Sequence, residues 1–212
     1  MSEPEPLPLL LPLVDAPTRE RSDAARNRTA LLEAAERLIA TCGIDALTMD
    51  AVAAAAGVGK GTVFRRFQSR EGLMGALLNH SETEWQTSVM SGPPPLGPDA
   101  PPWERLLAFG RSRLETTLRH ADLIRNAGRM STRSYAAYSF SAMHVRYLLS
   151  ELGVTGDLPL LATALMAPLE APILDQQVRI EGLAIDRVHA GWTDLARRIV
   201  GADPGSPPSH PT

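Results

Sequence analysis

Residues 48–67 read TMDAVAAAAGVGKGTVFRRF and predict two short helices joined by a tight turn. The first helix begins after Thr48, because a threonine side chain can accept from the free N–H groups of a first helical turn. Asp50 adds negative charge at the positive end of the helix dipole. Gly57 ends the helix, since glycine takes the left-handed conformation at this position without steric cost.

The second helix of this stretch has two faces of different character. Val63 and Phe67 lie four residues apart and are predicted to be buried. The other face carries polar and cationic side chains, namely Lys60, Thr62, Arg65 and Arg66. This is the layout of a helix-turn-helix, whose second helix presents its first residues to base edges in the major groove of DNA. The stretch therefore predicts a DNA-binding hairpin.

Two other structures share parts of this pattern. An alanine-rich helical hairpin with a solvated basic face has the same periodicity, and the pattern leaves it open. A phosphate-binding loop requires Gly-Lys followed directly by Ser or Thr after a strand. Here Gly61 stands between Lys60 and Thr62, and a helix precedes them, so the nucleotide-binding interpretation is rejected.

This stretch resembles the N-terminal signature of the TetR family of bacterial transcriptional regulators. The resemblance extends over residues 27–78. It is carried by Thr48, Val52, Ala53, Ala56, Gly57, Val58, Lys60, Gly61, Thr62, Val63, Phe64, Phe67 and Leu73. It implies an all-α fold of about nine helices, in which a helix-turn-helix domain precedes a helical effector-binding and dimerisation domain. The implied partners are double-stranded operator DNA, a second copy of the chain, and an apolar or amphipathic small molecule.

Eight residues are predicted to contact DNA. Three occupy the first turns of the second helix and are expected at base edges or in the groove: Lys60, Thr62 and Arg65. The resemblance assigns phosphate contacts to Thr48, Phe64, Arg66 and Arg70, and Gly61 belongs to the same surface. Phe64 departs from the family pattern, which usually has a tyrosine whose hydroxyl contacts a phosphate. Gly59 and Arg66 also depart, since serine and histidine are common there.

Composition alone would not indicate DNA binding. The chain has 212 residues, 44% of them hydrophobic, which is enough for one compact core or two small ones. Its net charge is only −3, so a DNA interface depends on local placement of Arg and Lys. The single cysteine, Cys42, rules out an internal disulfide and is predicted to be a buried apolar residue at the end of helix 1.

The ends of the chain differ in composition from its middle. Residues 1–22 mix Pro, Glu and Leu without periodicity, and residues 202–212 are rich in Pro, Ser and Gly, so both are predicted to be disordered tails. Glu3 and Glu5 do not fit the positive start of a signal peptide, and no segment approaches a membrane span. The expected location is the cytoplasm, without a membrane partner.

Helical spacing of apolar residues continues between these tails. It predicts helices over residues 23–41, 69–90, 103–120, 122–127, 132–152, 157–181 and 185–200. Pro168 and Pro172 fall inside one of them and predict a kink. The DNA-binding domain is placed at residues 23–80 and the effector-binding and dimerisation domain at 81–201.

The second domain offers weaker signals. Aromatic, Met and His residues there suit an apolar ligand pocket, although they suit an ordinary core equally well. They are Trp103, Phe109, Met130, Tyr135, Tyr138, Phe140, Met143, His144 and Tyr147. The last helix has an apolar stripe that predicts a homodimer interface together with the helix before it. Its members are Val188, Trp192, Leu195 and Ile199.

No motif indicates catalysis, a cofactor or a metal. The five histidines are scattered, without the i, i+4 pair that places two ligands on one helix face. No nucleophile elbow or dinucleotide-binding glycine fingerprint occurs. The sequence therefore predicts a regulator that is not an enzyme, and the alternative is an all-helical enzyme or small-molecule carrier with an incidental hairpin.

Overall fold

The computed structural model describes residues 17–126 and 135–201. Every regular element in these two ranges is helical, and no strand occurs in them, which confirms the all-α prediction. The chain divides into two compact units, one ending at Arg66 and the other beginning at Phe67.

The first unit is built on one long helix. It comprises α1 (Pro17–Cys42), a 3₁₀ turn (Ile44–Ala46), α2 (Met49–Ala55) and α3 (Lys60–Phe67), whose last residue begins the second unit. The long helix packs against both the 3₁₀ turn and α2. The core of this first unit consists of Leu31, Leu32, Ala34, Ala35, Leu47, Val52, Ala53 and Val63. All are small or medium apolar side chains, so the helices can approach closely.

Two sequence predictions in this unit need correction. The first helix begins at Pro17, earlier than the predicted start at Asp23. Proline is favoured at the first helical position, and no further Pro or Gly follows before the end of the helix. Residues 1–16 of the predicted tail lie outside the described part of the chain. Cys42 is exposed rather than buried, because it is the last helical residue before Gly43 turns the chain.

The second unit contains seven helices within the described residues. They are α4 (Arg70–Ser91), α5 (Pro102–Arg119), α6 (Ala121–Asn126), α7 (Tyr135–Glu151), α8 (Leu158–Met166), α9 (Ala171–Leu174) and α10 (Ile185–Val200). Their common core is made of Trp85, Val89, Leu106, Phe109, Leu114, Val145, Leu148, Leu149, Ala162, Leu165, Met166, Leu169, Leu174, Trp192 and Ala196. The core draws on six of the helices and on the turn after α8, so this unit is a single packed body.

The helix predicted over residues 157–181 is broken by its prolines. After α8 the chain passes through a 3₁₀ turn (Ala167–Leu169) that contains Pro168, then through α9, which has Pro172 in its first turn. A π-helical turn (Asp175–Ile180) follows, and the two halves meet at 42°. Proline lacks an N–H and clashes with the preceding turn, so the predicted kink is confirmed. The break gives ten α-helices in the described residues instead of about nine.

No single helix in the described ranges has the length and apolar composition of a membrane span. One bent pair of segments, Leu158–Leu169 with Ala171–Ile180, reaches this length and apolar composition only when the two segments are taken together.

Candidate functional site

The turn between α2 and α3 is a Schellman motif. The N–H of Val58 donates to the carbonyl of Ala53 at 3.0 Å, and the N–H of Gly57 donates to that of Ala54 at 3.2 Å. Gly57 has a φ of 66°, the left-handed conformation that favours glycine. At the other end of α2, the Thr48 hydroxyl accepts from the N–H of Ala51 at 3.1 Å. Both ends of α2 therefore have the capping predicted from the sequence.

This turn leads into α3, which has one buried side and one solvated side. Val63 and Phe67 are buried, as the sequence predicts. The solvated side carries Lys60, Gly61, Thr62, Phe64, Arg65 and Arg66. No acidic residue lies on this helix, so its exposed surface is cationic. Six of the eight predicted DNA contacts therefore lie on the solvated side of one short helix.

The other two predicted contacts lie elsewhere. Thr48 is exposed at the start of α2, where its hydroxyl already serves as the helix cap. Arg70 is half-buried at the first position of α4, directly after Ser69, whose hydroxyl caps that helix by accepting from the N–H of Gly72 at 3.0 Å. Arg70 belongs to the second unit.

One ion pair on the DNA-binding unit was not predicted from the sequence. The ammonium of Lys60 lies 2.8 Å from a carboxylate oxygen of Asp50, on α2. About two thirds of each side chain is exposed, 66% for Lys60 and 64% for Asp50. An exposed pair of this kind contributes little to stability, so Lys60 can exchange its partner for a phosphate. The sequence contained a signal for this pair, because Asp50 is an acidic residue in the first turn of α2, the helix that precedes Lys60.

The predicted pocket residues are only partly brought together. Phe109 and His144 are buried, whereas Trp103, Tyr138 and Phe140 are half-buried against the core. Met143 and Tyr147 are about half exposed, at 55% and 48%. Met130 and the side chain of Tyr135 lie outside the described residues. The structure thus gathers five of the nine around one core.

An aromatic cluster joins α4, α5 and α7 at this place. The rings of Trp85 and Phe109 lie 5.2 Å apart, and Phe109 stacks on the His144 imidazole at 5.4 Å. Phe140 packs edge-on against Trp85 at 6.3 Å and stacks on His144 at 6.2 Å. Burial, and to a smaller extent the charge of Arg105, lower the pKa of His144 to about 4. The imidazole is therefore neutral at pH 7.

Two buried arginines on α5 are functional candidates that sequence reasoning missed. Arg113 is 2% exposed, and its guanidinium donates to the Glu82 carboxylate at 2.8 Å and lies 4.6 Å from the centre of the Trp85 ring. Arg105 is 8% exposed, and its Nε has no hydrogen-bond partner. Arg105 lies four residues before Phe109, one helical turn away, so a charge inside the apolar stripe of this helix was the available signal.

The predicted dimer residues differ in how deeply they are buried. Trp192 is 3% exposed, and its indole N–H donates to the carbonyl of Leu165 at 2.8 Å. A Cβ on Gly110 would lie only 2.1 Å from the Trp192 ring, so glycine is needed for this close approach. Val188, Leu195 and Ile199 are half-buried against the same core. Trp192 is thus a core residue of the chain, with one edge on a surface groove beside α10.

A shallow groove runs beside α10. Its volume is about 310 Å³, and it is lined by Pro168, Leu169, Gln177, Leu183, Arg187, Val188, Gly191, Trp192 and Leu195. The lining is mostly apolar. Among the described residues, no group of three or more His, Cys, Asp or Glu side chains is placed to hold a metal ion.

Comparisons with known proteins agree with this geometry. Residues 31–77 match the family model described as bacterial regulatory proteins, tetR family. A TetR-like transcriptional regulator from Rhodococcus sp. RHA1 superposes with a TM-score of 0.54 at 21% identity, covering 84% of this chain and 97% of that one. A TetR/AcrR-family regulator from Thermobifida fusca YX-ER1 gives 0.56 at 23%, covering 80% and 96%.

A third solved structure, the multidrug binding protein EbrR complexed with imidazole, gives a TM-score of 0.55 at 25% identity, covering 88% of this chain and 97% of that one. No curated protein matches the sequence. The family match spans α2, the Schellman turn and α3, and so includes the cationic side of α3. Residues 31–77 therefore form a DNA-binding domain of the kind found in the tetR family of bacterial regulatory proteins.

Proposed function

We propose that this protein is a transcriptional repressor that binds operator DNA as a homodimer and is released from it by a small molecule. The observation that carries the proposal is the solvated cationic side of α3. Lys60, Arg65 and Arg66 lie there without an acidic residue on the same helix. A polyanion is the partner that such a surface fits, and the first residues of a recognition helix read base edges.

The side chains on α3 divide into those that read bases and those that hold the backbone. Lys60, Thr62 and Arg65 occupy positions suited to base edges, where arginine or lysine pairs with guanine. Arg66, together with Thr48 and Arg70, is assigned to phosphates. Phe64 is 56% exposed and has no hydroxyl to donate, so we assign it an apolar contact with a thymine methyl group or a sugar.

Repression is favoured over activation on physical grounds. A repressor needs only to occupy the promoter, which DNA binding alone achieves. An activator also needs a surface that contacts the polymerase, for which the sequence gives no sign. Release by a small molecule requires that the molecule bind the DNA-incompetent state more tightly, and the shift cannot exceed that difference in affinity. The solved structure of EbrR with imidazole supports a small-molecule site in this fold.

The homodimer is assigned to the groove beside α10. A second copy would cover its apolar lining, and two-fold symmetry would present two recognition helices about 34 Å apart, one turn of DNA. Gly191 offers a clean test, because it is exposed and no atom lies within 4 Å of a Cβ added there. Gly191→Glu should therefore leave the chain folded but block a second copy, whereas Gly191→Ala should remain dimeric. Light scattering would decide, and dimeric Gly191→Glu would reject this interface.

The DNA-binding proposal is tested by selection from a random duplex library with the purified protein. We expect enrichment of a two-fold symmetric site whose half-sites are about one helical turn apart. The enriched duplex should bind at least about 10³-fold tighter than its scrambled version. A library that remains random after several rounds would reject sequence-specific regulation, and the enzyme or carrier interpretation would replace it.

A further inference from the structure

The two buried arginines of α5 differ in how their charge is compensated. Arg113 has the carboxylate of Glu82 at 2.8 Å and the face of Trp85 beneath its guanidinium. Arg105 is 8% exposed, and among the described residues no hydrogen bond or ion pair engages its guanidinium, whose buried Nε has no partner. A buried cation without a partner is expensive, because the loss of hydration is not repaid. Such a group therefore calls for an external anion.

Two neutral polar groups accompany Arg105. Ser141 and His144 lie three residues apart on one face of α7, which packs against α5. Both are buried, at 0% and 6% exposed, and the Ser141 hydroxyl and the His144 Nε2 have no hydrogen-bond partner. Arg105 lies one turn from Phe109, which stacks on His144. The charge of Arg105 acts on the His144 imidazole, so these two groups are neighbours, and Ser141 lies one turn from His144 on the same helix.

Helices α7 and α8 supply no counter-ion, and the nearby carboxylate of Glu82 on α4 is taken by Arg113. Residues 123–150, which include all of α7 except its final glutamate, contain no Asp or Glu. Helix α8, which packs against α7, also contains none. On α5 itself, Glu104 is exposed and Glu115 pairs with Arg111 at 2.5 Å. The uncompensated charge of Arg105 is thus a property of the composition of these helices as well as of their geometry.

We propose that Arg105, Ser141 and His144 bind the carboxylate of an apolar monoanion, and that such carboxylates are the effector class of this regulator. The guanidinium fork matches a carboxylate, and the hydroxyl and the neutral imidazole can each donate one further hydrogen bond. Trp85, Phe109 and Phe140 would enclose the apolar part of the ligand. A single unpaired positive charge favours a monoanion over a phosphate monoester. The inference rests on the proposed regulatory function.

The first test compares a carboxylate with its neutral isostere on the wild-type protein. The probes are 4-phenylbutyrate and octanoate, each paired with its primary amide. We expect each acid to bind about 10- to 100-fold tighter than its amide by calorimetry, because charged hydrogen bonds replace neutral ones. The acids should also raise the pKa of His144 in an NMR titration, since a neighbouring anion favours the imidazolium. Equal binding of acid and amide, or no response of His144 to millimolar acid, would overturn the proposal.

The second test removes the charge of Arg105. Arg105→Met should abolish the preference for acid over amide, while Arg119→Met, an exposed arginine on the same helix, should keep it. Without ligand, Arg105→Met should melt about 2 to 4 °C higher, because an unpaired buried charge is replaced by an apolar side chain. A purely structural arginine would give a lower melting temperature instead. A destabilised Arg105→Met, or one that still prefers the acid, would contradict an anion site.

Failure of this inference can be separated from failure of the proposed function. Binding of the acids is measured without DNA, and DNA selection is performed without the acids. Enrichment of a symmetric duplex, with no preference for acids over amides, would leave the regulator intact and reject the carboxylate effector. Tight acid binding that leaves affinity for the enriched duplex unchanged would reject the effector class while retaining the anion site.

Discussion

The cationic side of α3 and the polar groups between α5 and α7 carry charge in opposite settings. On α3, Arg65 and Lys60 stand in solvent. In the second unit, Arg105 and His144 are more than nine-tenths buried. Exposed charges remain hydrated and contribute little to stability, whereas buried ones carry a desolvation cost that the fold must bear. Substitutions on α3 should therefore alter DNA affinity with little effect on the free energy of unfolding. Substitutions of buried residues in the second unit should mainly alter the free energy of unfolding.

The largest expected effect is in the buried core of the second unit. Trp192→Ala removes a ring that fills the space beside Gly110 and a hydrogen bond to Leu165. We expect a loss of about 3–5 kcal/mol in the free energy of unfolding, measured by urea denaturation at fixed protein concentration. Ile185→Ala, exposed on the same helix, should lose less than about 1 kcal/mol. Similar losses in the two variants would contradict this packing.

The buried imidazole should make stability depend on pH. The pKa of His144 is about 4 in the folded chain and about 6.5 when unfolded. Between these values the unfolded chain binds a proton that the folded chain does not, so stability falls as pH drops from about 6.5 to 4. The loss should reach up to about 3 kcal/mol.

His144→Gln isolates this contribution. The pKa values of His120 and His189 are also lowered by burial, and they remain in both proteins. The difference between the pH dependences of wild type and variant therefore reports His144 alone. Urea denaturation at pH 7 and pH 4.5 measures it, and identical dependences would show that His144 is solvated.

Two glycines of the DNA-binding unit should separate stability from affinity. Gly57→Ala forces a side chain into a φ of 66° and should lose about 1–2 kcal/mol of stability, although no atom crowds the new Cβ. Gly61→Ala lies in α3 and should gain up to about 1 kcal/mol from helix propensity. On the proposed DNA-facing side it should nevertheless weaken binding to the enriched duplex. If Gly61→Ala left the DNA affinity unchanged, Gly61 would not lie in the interface with DNA.

The smallest effect concerns the exposed pair on α2 and α3. Asp50→Asn frees Lys60 and removes a negative charge near the proposed DNA surface. We expect binding to tighten by a few fold for enriched and scrambled duplexes alike, with the salt slope steeper by up to about one unit. The free energy of unfolding should change by less than about 1 kcal/mol. Weaker binding of the variant would show that Asp50 positions Lys60 for recognition.

The first unit could be predicted from sequence because its signals are local. Thr48 caps α2 three residues before its partner, and Gly57 closes the same helix within one turn. The kink at Pro168 is likewise a property of the residue itself. The start of α1 was misplaced because a proline read as a tail residue serves as the first residue of a helix.

The second unit depends on contacts that sequence spacing does not contain. The partners Arg113 and Glu82, like Trp192 and Gly110, are far apart along the chain. An amphipathic stripe predicts that a face is covered but not what covers it. Trp192 therefore looks like an interface residue in the sequence, and the structure buries it within its own chain. The unpartnered state of Arg105 appears only when the neighbouring helices are in place.

The most direct measurement is the affinity of wild type and Arg65→Ala for the enriched duplex and for its scrambled version, each at two salt concentrations. If Arg65 reads a base, Arg65→Ala should weaken the enriched duplex by about 1–3 kcal/mol and relax specificity at one position, with a much smaller loss on scrambled DNA. Arg66→Ala, the phosphate-contact control, should weaken both duplexes alike and lower the salt slope by about one. Equal losses on both duplexes for Arg65→Ala would contradict base reading by α3.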